Sequence, residues 1–245
     1  MDSQKRIIKY QMIEAFKVLA ILWGVLLLLD IIGFIATIYF NNIWSFGIHT
    51  DTEMSIVAGN IMAIFIFFIA YSYTLHYEDF PIAICFSITR KDYYKSVILQ
   101  NLIVSFAVAL FEGILLKIEP YIISAVGINP IQDFSIFNTK TNSLMYIVLI
   151  MFIGFLINVS FWNLVAALNY KFGYKLWIVA TALFILFIFT LNSRFINFLD
   201  NVFSSRWIEN NISLFLILFF GIFTVICYVI SYFITFHTNV KHRVG

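Results

Sequence analysis

The chain has little charge and little cysteine. Only 11% of its 245 residues are charged, while 62% are hydrophobic and the mean hydropathy is +0.95. Soluble domains carry about 25% charged residues. A surface built from this composition is not stable in water, so the bilayer is the expected solvent. Two cysteines, Cys85 and Cys227, fall in segments expected to lie apart and support neither a disulfide framework nor a metal cluster. The G-x-x-x-x-G-K-[ST] signature of a phosphate-cradling loop and the G-x-S-x-G turn of a serine nucleophile are both missing. The four histidines, His49, His76, His237 and His242, are scattered. Phe233 to His237 matches an F-x-x-x-H element of membrane proteases, but the paired glutamates that chemistry requires are missing. No cofactor and no metal are therefore expected in this chain, and no catalytic residue is assigned.

What is present is length of apolar sequence. A spanning helix needs about 20 largely apolar residues. Six runs qualify, near 18–40, 54–77, 93–117, 142–166, 176–192 and 212–236. They are too long for the strands of a membrane barrel. The first run is too long for a signal-peptide core and lacks a small-residue cleavage site, so it reads as a retained span. The expected fold is an all-α integral membrane protein with six transmembrane helices. Residues 1–17 form a cytoplasmic interfacial helix ahead of a six-helix domain, 18–245. In that first segment Ile8, Met12, Ala15, Phe16 and Leu19 share one helical face, with Lys5, Arg6 and Lys9 free to meet water or lipid phosphate. A basic tail that only obeys the positive-inside rule is the alternative.

Basic residues orient the spans. Lys5, Arg6, Lys9, Lys17, Arg90, Lys91, Lys95, Lys171, Lys175, Lys241 and Arg243 fall on one side, against Lys117, Lys140, Arg194 and Arg206 on the other. Both termini are thus expected in the cytoplasm, and the basic face needs no nucleic-acid partner. Outside, Pro120 and Pro130 break a long loop over 118–141. Phe195, Phe198, Leu199, Val202 and Phe203 recur at helical spacing before the last span, predicting a re-entrant or interfacial outer segment.

The most informative segment lies between spans two and three, 78–95, EDFPIAICFSITRKDYYK. Asp79 suits an N-cap, with Pro81 in the first turn. Ile82, Ala83, Cys85 and Phe86 supply an apolar surface. Thr89, with Asp92 three residues later, has the capping-box arrangement for the next span. The prediction is a short cytoplasmic helix parallel to the membrane and rigidly joined to span three. FPIAICFSITRKDYYKS resembles the corresponding loop of ABC-2-type transporter permeases. The resemblance extends to the N-terminal helix, the six spans and the apolar outer segment. It implies a coupling helix, with Asp79, Phe80, Pro81, Phe86, Ser87, Thr89 and Arg90 docking on a separate P-loop ABC ATPase that holds ATP and Mg. It further implies a second permease, identical or different, to complete a dimeric exporter in a bacterial plasma membrane. The cargo class implied is amphipathic or antimicrobial peptide, as for phenol-soluble modulin exporters. One departure stands out, because the family often has Gly where this chain has Ser87.

Polar residues inside the spans are candidates for a translocation path. Asp30 and Asn158 and Asn163 are the residues chosen, although interhelical hydrogen bonding accounts for the asparagines equally well. Glu112 reads as a packed acid near the outer surface, close to Lys117. Two other readings remain open for the whole chain. One is a membrane-embedded enzyme processing lipid or peptide. The other is an ATP-independent six-span transporter.

Overall fold

The computed structural model describes residues 3–44, 55–125, 129–134, 136–190 and 212–238. For 3–7, 37, 40–44, 184, 186–190 and 212–217 only the backbone is described. The expected outer segment over 193–211 lies outside the described residues.

Helices dominate because apolar sequence in lipid must satisfy every backbone N–H and C=O internally. In order they are α1 (Ser3–Trp44), α2 (Asn60–Thr74), α3 (Phe80–Cys85), α4 (Arg90–Ala125), α5 (Leu144–Phe172), α6 (Lys175–Thr190) and α7 (Ile212–Phe236). Among the described residues, five helical stretches are long and apolar enough to cross a membrane: Ile8–Ala36, Val57–Cys85, Arg90–Ala125, Leu144–Phe172 and Leu218–Phe236. The expected fifth span, near 176–192, corresponds to α6, whose 16 described residues fall short of that length.

Three boundaries differ from expectation. The first helix continues without a break from Ser3 to Trp44, so the expected interfacial segment and the first span belong to one helix. At about 1.5 Å per residue its length is about 63 Å, twice the hydrocarbon thickness. Second, α4 runs through Pro120 to Ala125 rather than stopping at Lys117. Third, α3 is not a separate helix started by Asp79. Asp79 has helical backbone angles and makes no side-chain cap. A π-helical turn, Leu75–Asp79, joins α2 directly to α3, and Phe80 N–H donates to the Leu75 carbonyl. Pro81 supplies the physical reason. Inside a helix, proline removes one i→i−4 bond and crowds the carbonyl it would have met. Widening the preceding turn relieves that crowding.

Helix α5 is central and packs against α2, α4 and α7. Phe68, Phe155, Val159, Val104 and Leu116 are among the buried side chains at these seams. Close approach of α4 and α5 depends on Gly113. A Cβ there would lie 2.8 Å from Val148 Cγ2. Helix α1 lies at the periphery. Gln11, Ala15, Leu19 and Leu26 form its buried stripe, and Ile21, Val25, Leu28 and Ile32 face outward. Its Trp23 meets Phe111 of α4 with ring centroids 4.3 Å apart. The segment between α4 and α5 folds onto the helix ends. Phe134 stacks on Phe137 at 5.2 Å, and Asp133 pairs with Asn138 in an isolated antiparallel bridge. The Asn138 side chain accepts from the Lys140 and Thr141 amides at 2.9 and 3.2 Å, a local turn that asparagine favours.

Candidate functional site

The sequence-predicted joint is built at the turn between α3 and α4. Ser87 has φ 57°, the left-handed conformation, and is the only described non-glycine residue with positive φ. Around it, Ser87 N–H donates to Ile84 O at 2.9 Å and Ile88 N–H to Ala83 O at 3.1 Å. This pair of bonds is a Schellman motif, with the serine at the position glycine usually takes. Ile88 is buried beside the end of α3, completing the hydrophobic contact the motif favours. Thr89 Oγ1 then accepts from the Asp92 amide at 3.2 Å, capping α4 as its spacing predicts. The two helices therefore meet across four residues, 86–89, whose bonds cap the end of α3 and the start of α4.

The joint is also fastened to the bundle. Phe80 is fully buried (0% exposed), its ring 5.3 Å from Tyr93 of α4 and 5.8 Å from Tyr170 of α5. The Tyr93 hydroxyl donates to the Leu75 carbonyl, which also receives the π-turn bond from Phe80. Arg90 Nη1 donates to Phe236 O at 2.6 Å, tying the start of α4 to the end of α7. The seven proposed coupling residues thus divide. Phe80 is interior and Asp79 and Pro81 are half-buried, whereas Phe86 is 75% exposed. Ile82, Cys85 and Ser87 are exposed around it. An apolar tip stands on a buried aromatic base.

The proposed path residues do not converge. Asp30 accepts from Asn60 Nδ2 at 2.9 Å. Asn158 turns to the Phe65 carbonyl of α2 at 3.5 Å. Asn163 is buried and accepts from Ser231 Oγ of α7 at 2.9 Å. Five residues apart on α5, the two asparagines point about 140° away from each other.

Other polar groups occupy the interior. Along α4, Tyr94, Asn101, Ser105, Glu112 and Glu119 are all buried and share one face. Tyr94 Oη donates to Tyr228 O at 2.9 Å, and Asn101 Nδ2 to Tyr228 Oη at 3.1 Å. Glu119, read from sequence as an outer-loop acid, instead caps the start of the second span from a distance. Its carboxylate accepts from Ser55 Oγ at 2.7 Å and from the amides of Ile56 and Val57 at 2.5 and 2.9 Å. An anion there answers the unpaired N–H groups and positive dipole of a helix start. The expected association of Glu112 with Lys117 and the outer surface is also corrected. Glu112 is 0% exposed, and neither carboxylate oxygen has a hydrogen-bond partner among the described residues. Lys117 turns to the carbonyls of Thr139 and Asn142, at 2.6 and 2.8 Å. The seven- and four-residue polar spacing of α4 was the available signal, hidden within an otherwise apolar run.

A cavity of about 250 Å³ lies between α1, the start of the second span and α4. Leu27, Asp30, Phe34, Leu115, Glu119 and Ile122 are among its walls.

Compared with known proteins, the chain matches no protein-family model, no curated protein and no solved structure.

Proposed function

We propose that this membrane protein is the permease subunit of an ATP-driven ABC exporter, with ATP hydrolysis on a separate ATPase. The observation that carries this reading is the α3–α4 joint. A docking element has to be exposed at its tip and stiff at its base. Phe86 supplies the tip, and the Schellman turn, the Thr89 cap and the Arg90–Phe236 bond supply the stiffness. A push on the tip is delivered to α4, which crosses the whole bundle, and to α7. The joint lies at the basic, cytoplasmic end in the orientation read from lysine and arginine. A second permease completes the path between two halves, both in a bacterial plasma membrane with cytoplasmic termini. Amphipathic peptide is the favoured cargo class.

The test is purification of the full chain in mild detergent from its native host. A stoichiometric ATPase carrying a P-loop is expected with it, lost in Phe86→Ala while the permease stays folded in the membrane. Recovery of the permease without such a subunit, under conditions that preserve a known transporter complex, would sink the reading.

A further inference from the structure

Helix α5 packs closely along both α4 and α7, whereas α4 and α7 meet each other far less extensively. Polar side chains bridge these two. Arg90 reaches the Phe236 carbonyl at one end of the seam. Further in, Tyr94 Oη donates to Tyr228 O at 2.9 Å and Asn101 Nδ2 to Tyr228 Oη at 3.1 Å. One turn along α7, Ser231 Oγ donates to Asn163 Oδ1 of α5 at 2.9 Å. Tyr94, Asn101, Asn163, Tyr228 and Ser231 are all buried. Three helices thus converge on one turn of α7, 228–231, through uncharged side chains.

The junction has more hydrogen-bonding capacity than its own side chains meet. Among the described residues, Asn101 Oδ1, Asn163 Nδ2 and Ser105 Oγ have no hydrogen-bond partner. Ser105 follows Asn101 by one turn on the same face of α4, about 22 Å along the helix from Arg90. All three side chains are completely buried. Buried polar atoms are nearly always paired, and one left unpaired costs free energy. Of these three atoms one accepts, one donates and one does either. The converging groups carry no charge, so they offer an ion no counter-charge. An apolar ligand would leave all three unsatisfied. Water both donates and accepts, and makes about three hydrogen bonds when buried.

We propose that the seam between α4 and α7 binds exchangeable internal water, held by Asn101, Ser105 and Asn163. Water stands in for either partner of a bridging hydrogen bond at little cost. The two helices can therefore shift against each other without orphaning a group. The seam between α2 and α5, filled by Phe68 and Phe155 with ring centroids 5.8 Å apart, offers water no such partners and stays dry. The inference goes beyond the export reading and does not depend on it. Hydration is measured on this chain alone, without ATPase or ATP, so either idea can fail while the other stands.

The experiment uses the full chain in phosphatidylcholine nanodiscs and brief X-ray radiolysis, which turns water into hydroxyl radical where the water sits. Mass spectrometry then reads the oxidation of each ring. Tyr94 and Tyr228 are expected to be oxidised although buried, and Phe68 and Phe155, buried like Tyr94, are expected to stay intact. Asn101→Leu is expected to abolish the oxidation of Tyr228 without loss of helix. If that variant does not fold, Ser105→Ala, which removes a single hydroxyl, is expected to reduce it. Oxidation of Tyr94 and Tyr228 no greater than that of Phe68 and Phe155 would overturn the proposal, as would unchanged oxidation in the folded variants. A higher melting temperature in Ser105→Ala would also overturn it, because deleting a dry, unsatisfied hydroxyl stabilises whereas deleting a hydrated one does not.

Discussion

Arg90 and Phe236 stand 146 positions apart in sequence, yet the Arg90 guanidinium donates to the Phe236 carbonyl at 2.6 Å. One is the first residue of α4 and the other the last of α7. The bond satisfies a carbonyl that a helix end leaves unpaired, and it places a cation at the negative end of the α7 dipole. Whatever moves the α3–α4 turn therefore moves the end of α7 as well.

Arg90→Ala is expected to lower stability by about 1 kcal/mol, the usual net worth of a part-exposed hydrogen bond. Arg90→Glu is expected to cost more, since it puts an anion beside the same carbonyls. Thermal unfolding in detergent measures the first effect. Under the export function proposed above, ATP-driven transport with an ATPase partner is expected to fall in both variants while membrane insertion is unchanged. Full transport in Arg90→Glu would rule out a coupling role for this bond.

Ser87 holds a backbone conformation that costs a side-chain-bearing residue about 1–2 kcal/mol. Ser87→Gly removes that cost but loosens the unfolded chain, so a net gain of about 0.5 kcal/mol is expected. Ser87→Val, β-branched, is expected to destabilise by about 1 kcal/mol or more. Denaturation midpoints of the three proteins in the same micelles give the comparison, and an unaltered Ser87→Val protein would contradict the observed turn.

Glu119→Ala leaves the amides of Ile56 and Val57 without their acceptor. A loss of about 1–3 kcal/mol is expected, the range for orphaned buried donors and lost caps. Glu119→Gln keeps one carbonyl oxygen and is expected to lose about half as much. Faster amide exchange at residues 56–58 in the alanine variant is the local readout. Protection equal to the native protein there would disprove the cap.

Gly113→Ala would set a methyl group 2.8 Å from Val148 Cγ2, and valine has few rotamers in which to move aside. The seam between α4 and α5 must open, at an expected cost of about 1–3 kcal/mol. Val148→Ala in the same chain is expected to recover part of it. Additive losses in the double variant would show that the two residues do not touch.

Much of the framework was legible in the chain. Long apolar runs predicted helices because lipid offers no partner for an unsatisfied backbone, and the Thr89–Asp92 spacing predicted the cap that forms. Pro81 was read as a first-turn proline and does lie in the first turn of α3, but the N-cap expected of Asp79 ahead of it does not form. Local preference puts proline in a first turn, whereas burial of Phe80 between Tyr93 and Tyr170 draws α3 into line with α2. The helix then continues through a π turn instead of starting afresh. Glu112 and Lys117 show the same limit. Five residues apart, they looked like neighbours, but a helical rotation of about 140° separates them.

By itself, the order of residues determined that this is a helical protein of the membrane, where α4 begins, and that the α3–α4 turn is compact. Those properties depend on solvent preference and on hydrogen bonds between residues a few positions apart. The tertiary structure decided which polar groups meet. It set Glu119 over the start of the second span, joined Arg90 to α7, and turned Asp30 of α1 to Asn60. These pairings join residues tens of positions apart, and only the packing of α1, α4 and α7 brings them within reach.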